Sequence, residues 1–108
     1  MSLTVLAEQC KELDVYEQRY NSEDYKELVF FAADLPKWQK VLEAQLGPPE
    51  KQPWEQPNNT HLELTQNFGG IFRGQTLFKA QLGDSHVMAM IWPWEDDKYM
   101  TLKIASYS

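Results

Sequence analysis

The sequence predicts a single α+β domain with a four-stranded, mainly antiparallel sheet and helices packed on one face. Its hydrophobic periodicity changes along the chain in the order α-β-α-β-β-β. Hydrophobic residues make up 43% and charged residues 24%, which is typical of a globular protein. A length of 108 residues suits one domain, which we expect to span residues 1–108.

The first predicted helix is amphipathic and lies near the N-terminus. Thr4 stands at its N-cap position, and the polar run 21–24 ends it. Charged residues fill the positions between apolar or aromatic residues that recur every three or four places and therefore share one face. These residues are Leu3, Leu6, Cys10, Leu13, Tyr16 and Tyr20.

The next two elements are a strand and a second helix. The apolar run Leu28–Ala33 shows no alternation, which predicts a strand buried on both faces and internal to the sheet. Asp34 precedes the second helix, and Gly47 followed by two prolines ends it. Its inner face comprises Trp38, Val41, Leu42 and Leu46.

The remainder of the chain predicts a loop, a short helical turn and a meander of three strands. The loop Gly47–Asn59 contains four prolines and Trp54, and the helical turn Thr60–Phe68 ends at two glycines. The predicted strands, numbered two to four, are Ile71–Leu82, Ser85–Trp92 and Lys98–Ala105.

The third predicted strand is apolar on both faces. Val87, Ala89 and Ile91 form one face, which we expect to pack under the helices. The opposite face forms an apolar stripe between the polar outer faces of strands two and four. The stripe consists of His86, Met88, Met90 and Trp92, widened by Leu77 and Tyr99.

An apolar stripe of this kind is costly to leave in water, at about 25 cal/mol per Å². The sequence allows three ways in which this stripe could be buried. The first helix or the loop around Trp54 could fold across it, a second copy of the chain could pack on it, or a small apolar or aromatic ligand could occupy it.

Charge and hydropathy exclude several classes of partner. The net charge is −6 and no cluster of Lys and Arg occurs, so we expect neither nucleic acid nor an anionic membrane surface to bind. No stretch approaches the roughly 18 apolar residues of a membrane helix. The N-terminal residues do not resemble a signal peptide, and the expected compartment is the cytoplasm.

The sequence contains no recognisable catalytic constellation and predicts no cofactor. A metal site formed by His61, Glu63 and His86 can be imagined, but a His-x-Glu pair is a weak signal without a fourth ligand at metal-like spacing. The alternative is that His61 lies in a loop and that His86 is an ordinary strand residue. Whether the chain is an enzyme is left open, with the absence of a motif favouring a non-enzymatic role.

From Lys26 to Ala105 the predicted order is β-α-β-β-β, which is similar to the module of glyoxalase-like vicinal-oxygen-chelate proteins. That resemblance implies metal-binding His or Glu residues on the strands. In this chain the first predicted strand has no His, and the fourth has no acidic residue.

The sequence therefore favours a small cytoplasmic domain that forms a homodimer through the outer face of its sheet. The alternative is a small-molecule-binding module with an aromatic and Met-lined pocket on that face. A metal-dependent enzyme is the third hypothesis.

Overall fold

A computed structural model describes residues 13–22, 24–82 and 85–107. These residues form a single α+β domain with one antiparallel sheet. The strands are β1 Glu17–Asn21, β2 Tyr25–Phe31, β3 Thr76–Leu82, β4 Ser85–Pro93 and β5 Tyr99–Tyr107. They lie side by side in the order β1-β2-β5-β4-β3, and every neighbouring pair is antiparallel.

Two α-helices accompany the sheet in the described part of the chain. Helix α1, Leu35–Leu46, follows a 3-10 turn and ends where Gly47 adopts a φ of 83°. Only glycine takes such a φ at little steric cost, so Gly47 stops the helix as predicted. Helix α2, Asn59–Thr65, continues into the 3-10 turn Gln66–Phe68, which also agrees with the predicted helical segment.

The inner face of the sheet, defined here as the face that packs against α1, carries the larger hydrophobic core. The rings of Phe30 and Trp38 stack with centroids 4.8 Å apart, which joins β2 to α1. The side chains predicted to point toward the core from the second helix and the last two strands do so, which confirms that prediction. The reason is that backbone geometry alone sets which side chains of a helix or strand share a face. The buried residues of this core are Leu28, Phe30, Trp38, Leu42, Leu46, Phe78, Val87, Ala89, Ile91, Leu102 and Ile104.

The prediction of four strands is wrong, because residues 17–21 form a fifth strand rather than the end of a helix. The spacing of Tyr16 and Tyr20 that suggested a helical face is also compatible with extended backbone; Tyr16 precedes β1, and Tyr20 lies within it. The backbone of β2 needs a partner on its free side, and β1 supplies it through pairs such as Glu17–Val29. The earlier part of the predicted helix, residues 3–12, lies outside the described residues.

The prediction that the helices share one face of the sheet is also wrong. Helix α1 packs on the inner face, whereas α2 packs with residues 66–75 on the opposite, outer face. The reason is that residues 47–75, here called the covering segment, cross from the end of α1 to the start of β3 by way of the outer face. The sheet therefore packs against α1 on its inner face and against the covering segment on part of its outer face.

Candidate functional site

The outer face of the sheet contains the residues that the sequence singled out. Cross-strand pairing aligns Leu77 with Met90, Met90 with Lys103, and Lys103 with Glu27. Leu77, Met88 and Met90 therefore form an apolar centre on the β3 and β4 side of the outer face. Ionisable side chains border this centre, with Lys79 on β3 and Lys103 on β5. The covering segment packs on the β3 and β4 half of this face, whereas aromatic side chains lie on the β2 and β5 half.

The apolar stripe is covered by the chain itself. Met88 and Met90 are 1% and 0% exposed, and Leu77 is fully buried as well. They pack with Ile71 of the covering segment, and the partly buried Leu64 and Phe68 of the same segment lie against them. The cover is therefore intramolecular, but it comes from the helical turn and the residues after it rather than from the predicted first helix or the Trp54 side chain. These apolar side chains are already removed from water within one copy.

Backbone pairing holds the covering segment against the edge of the sheet. Lys51 forms an antiparallel bridge with Leu77, with N–H···O distances of 3.1 Å in both directions. The Lys51 side chain is buried, and its ammonium donates to the carbonyls of Gln75 and Gln52 at 2.7 and 3.1 Å. Burial lowers the pKa of this ammonium. The free edge of β3 is therefore partly closed by the protein's own chain.

Trp54 does not cover the stripe. It is 68% exposed, and the residues that pack on the outer face, Leu64, Phe68 and Ile71, come later in the covering segment. His86 is partly buried, and its ring lies 5.4 Å from that of Tyr107 at the end of β5. Trp92 lies beneath Lys103, whose ammonium is 3.5 Å from its ring centroid.

The three residues considered for a metal site have separate roles. His61 is buried and forms a capping box with Asn58: its Nδ1 accepts from the Asn58 N–H, and its own N–H donates to the Asn58 side chain. Its Nε2 lies 3.6 Å from a carboxylate oxygen of Glu50. Glu63 is exposed on α2, and His86 lies against Tyr107. Within residues 13–22, 24–82 and 85–107, no three His, Cys, Asp or Glu side chains are grouped so that they could hold a metal ion.

A polar cluster lies where the covered and open halves of the outer face meet. The Tyr25 hydroxyl donates a 2.6 Å hydrogen bond to Glu27, and burial followed by this bond raises the pKa of Tyr25 well above its usual range. Burial lowers the pKa of Lys103, which outweighs the opposing effect of Glu27. Lys103 also donates to the carbonyl of Phe68 at 3.0 Å. The cluster ties β2 and β5 to the covering segment.

The open half of the outer face carries a group of aromatic side chains, here called the aromatic patch. The rings of Tyr16 and Tyr99 lie 4.4 Å apart, Phe31 lies within 6 Å of both, and Trp94 lies 5.2 Å from Tyr99. Tyr16 is 52% and Phe31 is 40% exposed. Sequence reasoning placed Tyr99 on this face but missed Tyr16 and Phe31. Assigning residues 17–21 to a strand would have brought the preceding residue, Tyr16, to the sheet.

An open groove of about 520 Å³ lies beside α2, at the other end of the outer face. Its walls are one side of α2 and its 3-10 extension, together with the end of β5. The lining residues are Thr60, Glu63, Leu64, Asn67, Phe68 and Tyr107. Of these residues, the sequence analysis considered only Glu63 as a site residue, and it did so for a metal site.

Among the described residues, no helix is both long and apolar enough to cross a membrane. No protein-family model, curated protein or solved structure matches this chain. The case for a function therefore rests on the geometry of the outer face.

Proposed function

We propose that this chain is a cytoplasmic, non-enzymatic interaction domain that forms a homodimer through the aromatic patch on the open half of its sheet. The observation that carries the proposal is a surface cluster in which Tyr16, Phe31 and Tyr99 contact one another and Trp94 contacts Tyr99. Tyr16 is 52% and Phe31 is 40% exposed. Contiguous apolar patches of this kind on soluble domains are characteristic of interaction surfaces.

The composition of the patch is that of an interface centre. Aromatic residues and Arg are enriched in the buried core of protein interfaces, because rigid rings exclude much water at a small entropic cost. Here Arg19 lies over the Trp94 ring, 5.3 Å from its centroid, and pairs with Glu17 at 2.9 Å. The patch therefore has an aromatic centre and a rim with charges of both signs, as a self-complementary surface requires.

Contact through the face of the sheet is favoured over pairing through its edge. Strand β1 is the free edge beside the patch, but its pairing with β2 is irregular between Gln18 and Tyr20. It also carries the charged side chains Glu17 and Arg19, and both features oppose edge-to-edge addition of another strand. A two-fold arrangement would then stack the two aromatic patches on each other.

The size and charge of the patch set the expected strength of the dimer. A stable interface buries about 800 Å² per partner, so neighbouring residues of β1 and β5 must contribute as well. Each copy carries a net charge of −6, and two copies repel at long range. Added salt screens this repulsion, so the dimer should tighten as ionic strength rises. An interface held mainly by ion pairs would weaken instead.

Sedimentation equilibrium tests the proposal. We expect the wild type to approach twice the monomer mass of 12.6 kDa at micromolar concentration, more completely at high salt. Phe31→Asp and Tyr16→Asp should sediment as monomers, because a charge within a buried contact is costly. Phe72→Asp is the matched control: Phe72 is an aromatic residue 60% exposed on the covering segment, outside the patch. A wild-type monomer at every concentration and salt, or equal dissociation of the Phe72 variant, would refute the dimer.

A further inference from the structure

We propose that the groove beside α2 binds a small organic cation, a primary ammonium attached to an aromatic or branched apolar body. The groove lies on the covering segment and the end of β5, away from the aromatic patch, and its function does not depend on dimerisation. Its volume of about 520 Å³ falls within the range of ordinary small-molecule sites.

One side of the groove is built by helical spacing. Thr60, Glu63, Leu64, Asn67 and Phe68 follow one another at intervals of three, one, three and one, which places them along one side of α2 and its 3-10 extension. Tyr107 at the end of β5 forms the opposite wall. Polar and apolar side chains therefore line the same groove.

The apolar wall is held rigidly. Phe68 stacks on Tyr25 with ring centroids 5.6 Å apart and planes 18° from parallel. Its backbone carbonyl accepts the hydrogen bond from Lys103, and Leu64 packs with it against the buried outer core. A ligand body placed against these side chains would bury apolar area without first ordering the wall.

The polar lining of the groove contains three acceptor side chains without a partner in the described part of the chain. The side chains of Thr60, Glu63 and Asn67 form no hydrogen bond or ion pair within the described residues. Glu63 supplies a full negative charge, and the other two supply neutral oxygens. An ammonium carries three donors, so it can use a carboxylate and neutral oxygens together.

Surrounding charges favour a cation over an anion. Burial and then the nearby carboxylate of Glu50 raise the pKa of Tyr107, which indicates that Glu50 adds negative potential at this end of the groove. The nearby lysine ammonium groups already have partners: Lys79 lies 3.9 Å from a carboxylate oxygen of Glu50, and Lys103 donates to the Phe68 carbonyl. No described cation lines the groove, and the chain as a whole is acidic.

An NMR titration with 2-phenylethylammonium tests the site. We expect saturable shifts of the backbone amides of Leu64, Phe68 and Tyr107. The comparison probe is 3-phenylpropionate, which has a similar aromatic body and a carboxylate in place of the ammonium, and we expect at least tenfold weaker binding for it. Equal affinity for the two probes, or the absence of saturable shifts with the ammonium, would overturn the proposal.

Two matched variants locate the charge. Glu63→Gln keeps the shape of an exposed side chain and should weaken binding of 2-phenylethylammonium by about tenfold, as expected for the loss of roughly 1.4 kcal/mol. Glu43→Gln removes an exposed carboxylate of α1, on the other side of the sheet, and should leave the affinity unchanged. If both variants weaken binding equally, the effect comes from net charge alone and the assignment of the groove is wrong.

Discussion

The ammonium of Lys103 on β5 lies 3.5 Å from the centroid of the Trp92 ring on β4. The same ammonium donates to the Phe68 carbonyl, and the position where a Cβ of Gly69 would lie is 2.6 Å from Cη2 of Trp92. The turn after α2 therefore rests directly on a cation–π pair, worth roughly 0.5–2 kcal/mol depending on exposure. This contact fixes the end of the covering segment on the sheet.

Gly69→Ala is expected to destabilise the domain more than Gly70→Ala. Both glycines have positive φ, 97° and 79°, so each substitution costs roughly 1–2 kcal/mol of backbone strain. Only at Gly69 would the new methyl group meet the Trp92 ring, which adds about 1–3 kcal/mol. Urea denaturation measures both costs. Equal destabilisation would mean that the turn does not rest on Trp92.

Lys51→Met is expected to destabilise the domain by about 1–3 kcal/mol. The substitution keeps an unbranched apolar side chain but leaves the carbonyls of Gln75 and Gln52 without their donor. Denaturant unfolding gives the free energy, and amide exchange of β3 should accelerate. Lys37→Met serves as the control because Lys37 is largely exposed and pairs only loosely with Asp34, at 3.8 Å. A Lys51 variant as stable as this control would contradict the role of the buried ammonium.

Met90→Ala is expected to cost about 2–5 kcal/mol, because Met90 is fully buried within one copy of the chain. The cost should be the same at every protein concentration. The measurement is chemical unfolding across a hundredfold range of protein concentration. If Met90 instead lay in a dimer interface, the apparent cost would depend on concentration.

Tyr25→Phe is expected to change how stability depends on pH in the alkaline range. The unfolded chain releases the tyrosine proton near pH 10, at about the reference value. Because the folded-state pKa of Tyr25 is raised, folding favours the protonated phenol, and this contribution is present below about pH 10 and lost as pH rises above it.

The comparison of wild type with Tyr25→Phe isolates this effect. At neutral pH the variant should be less stable by about 1 kcal/mol, since it lacks the hydrogen bond to Glu27. The difference should shrink as pH rises above about 10, because only the wild type loses the phenol contribution. Thermal unfolding across this pH range measures it. A constant difference would show that the phenol is not favoured in its neutral form.

The sequence by itself determined which side of α1, β4 and β5 faces the main core. The alternation in β4 and β5 correctly placed Val87 and Leu102 inward, and the helical spacing of Trp38 and Leu42 correctly placed them on the inner side of α1. It also indicated that Met88 and Met90 need a cover. These features follow from backbone periods of 2 and 3.6 residues, which depend only on neighbouring positions in the chain.

Only the tertiary structure decided what covers the outer face and whether residues 17–21 form a helix or a strand. Both outcomes depend on partners far away in sequence: Lys51 binds the Gln75 carbonyl 24 residues later, and Lys103 binds the Phe68 carbonyl 35 residues earlier. Strand β1 exists because β2 offers it unpaired backbone groups. Local periodicity contains no information about such long-range pairings, and the aromatic patch and the groove both result from them.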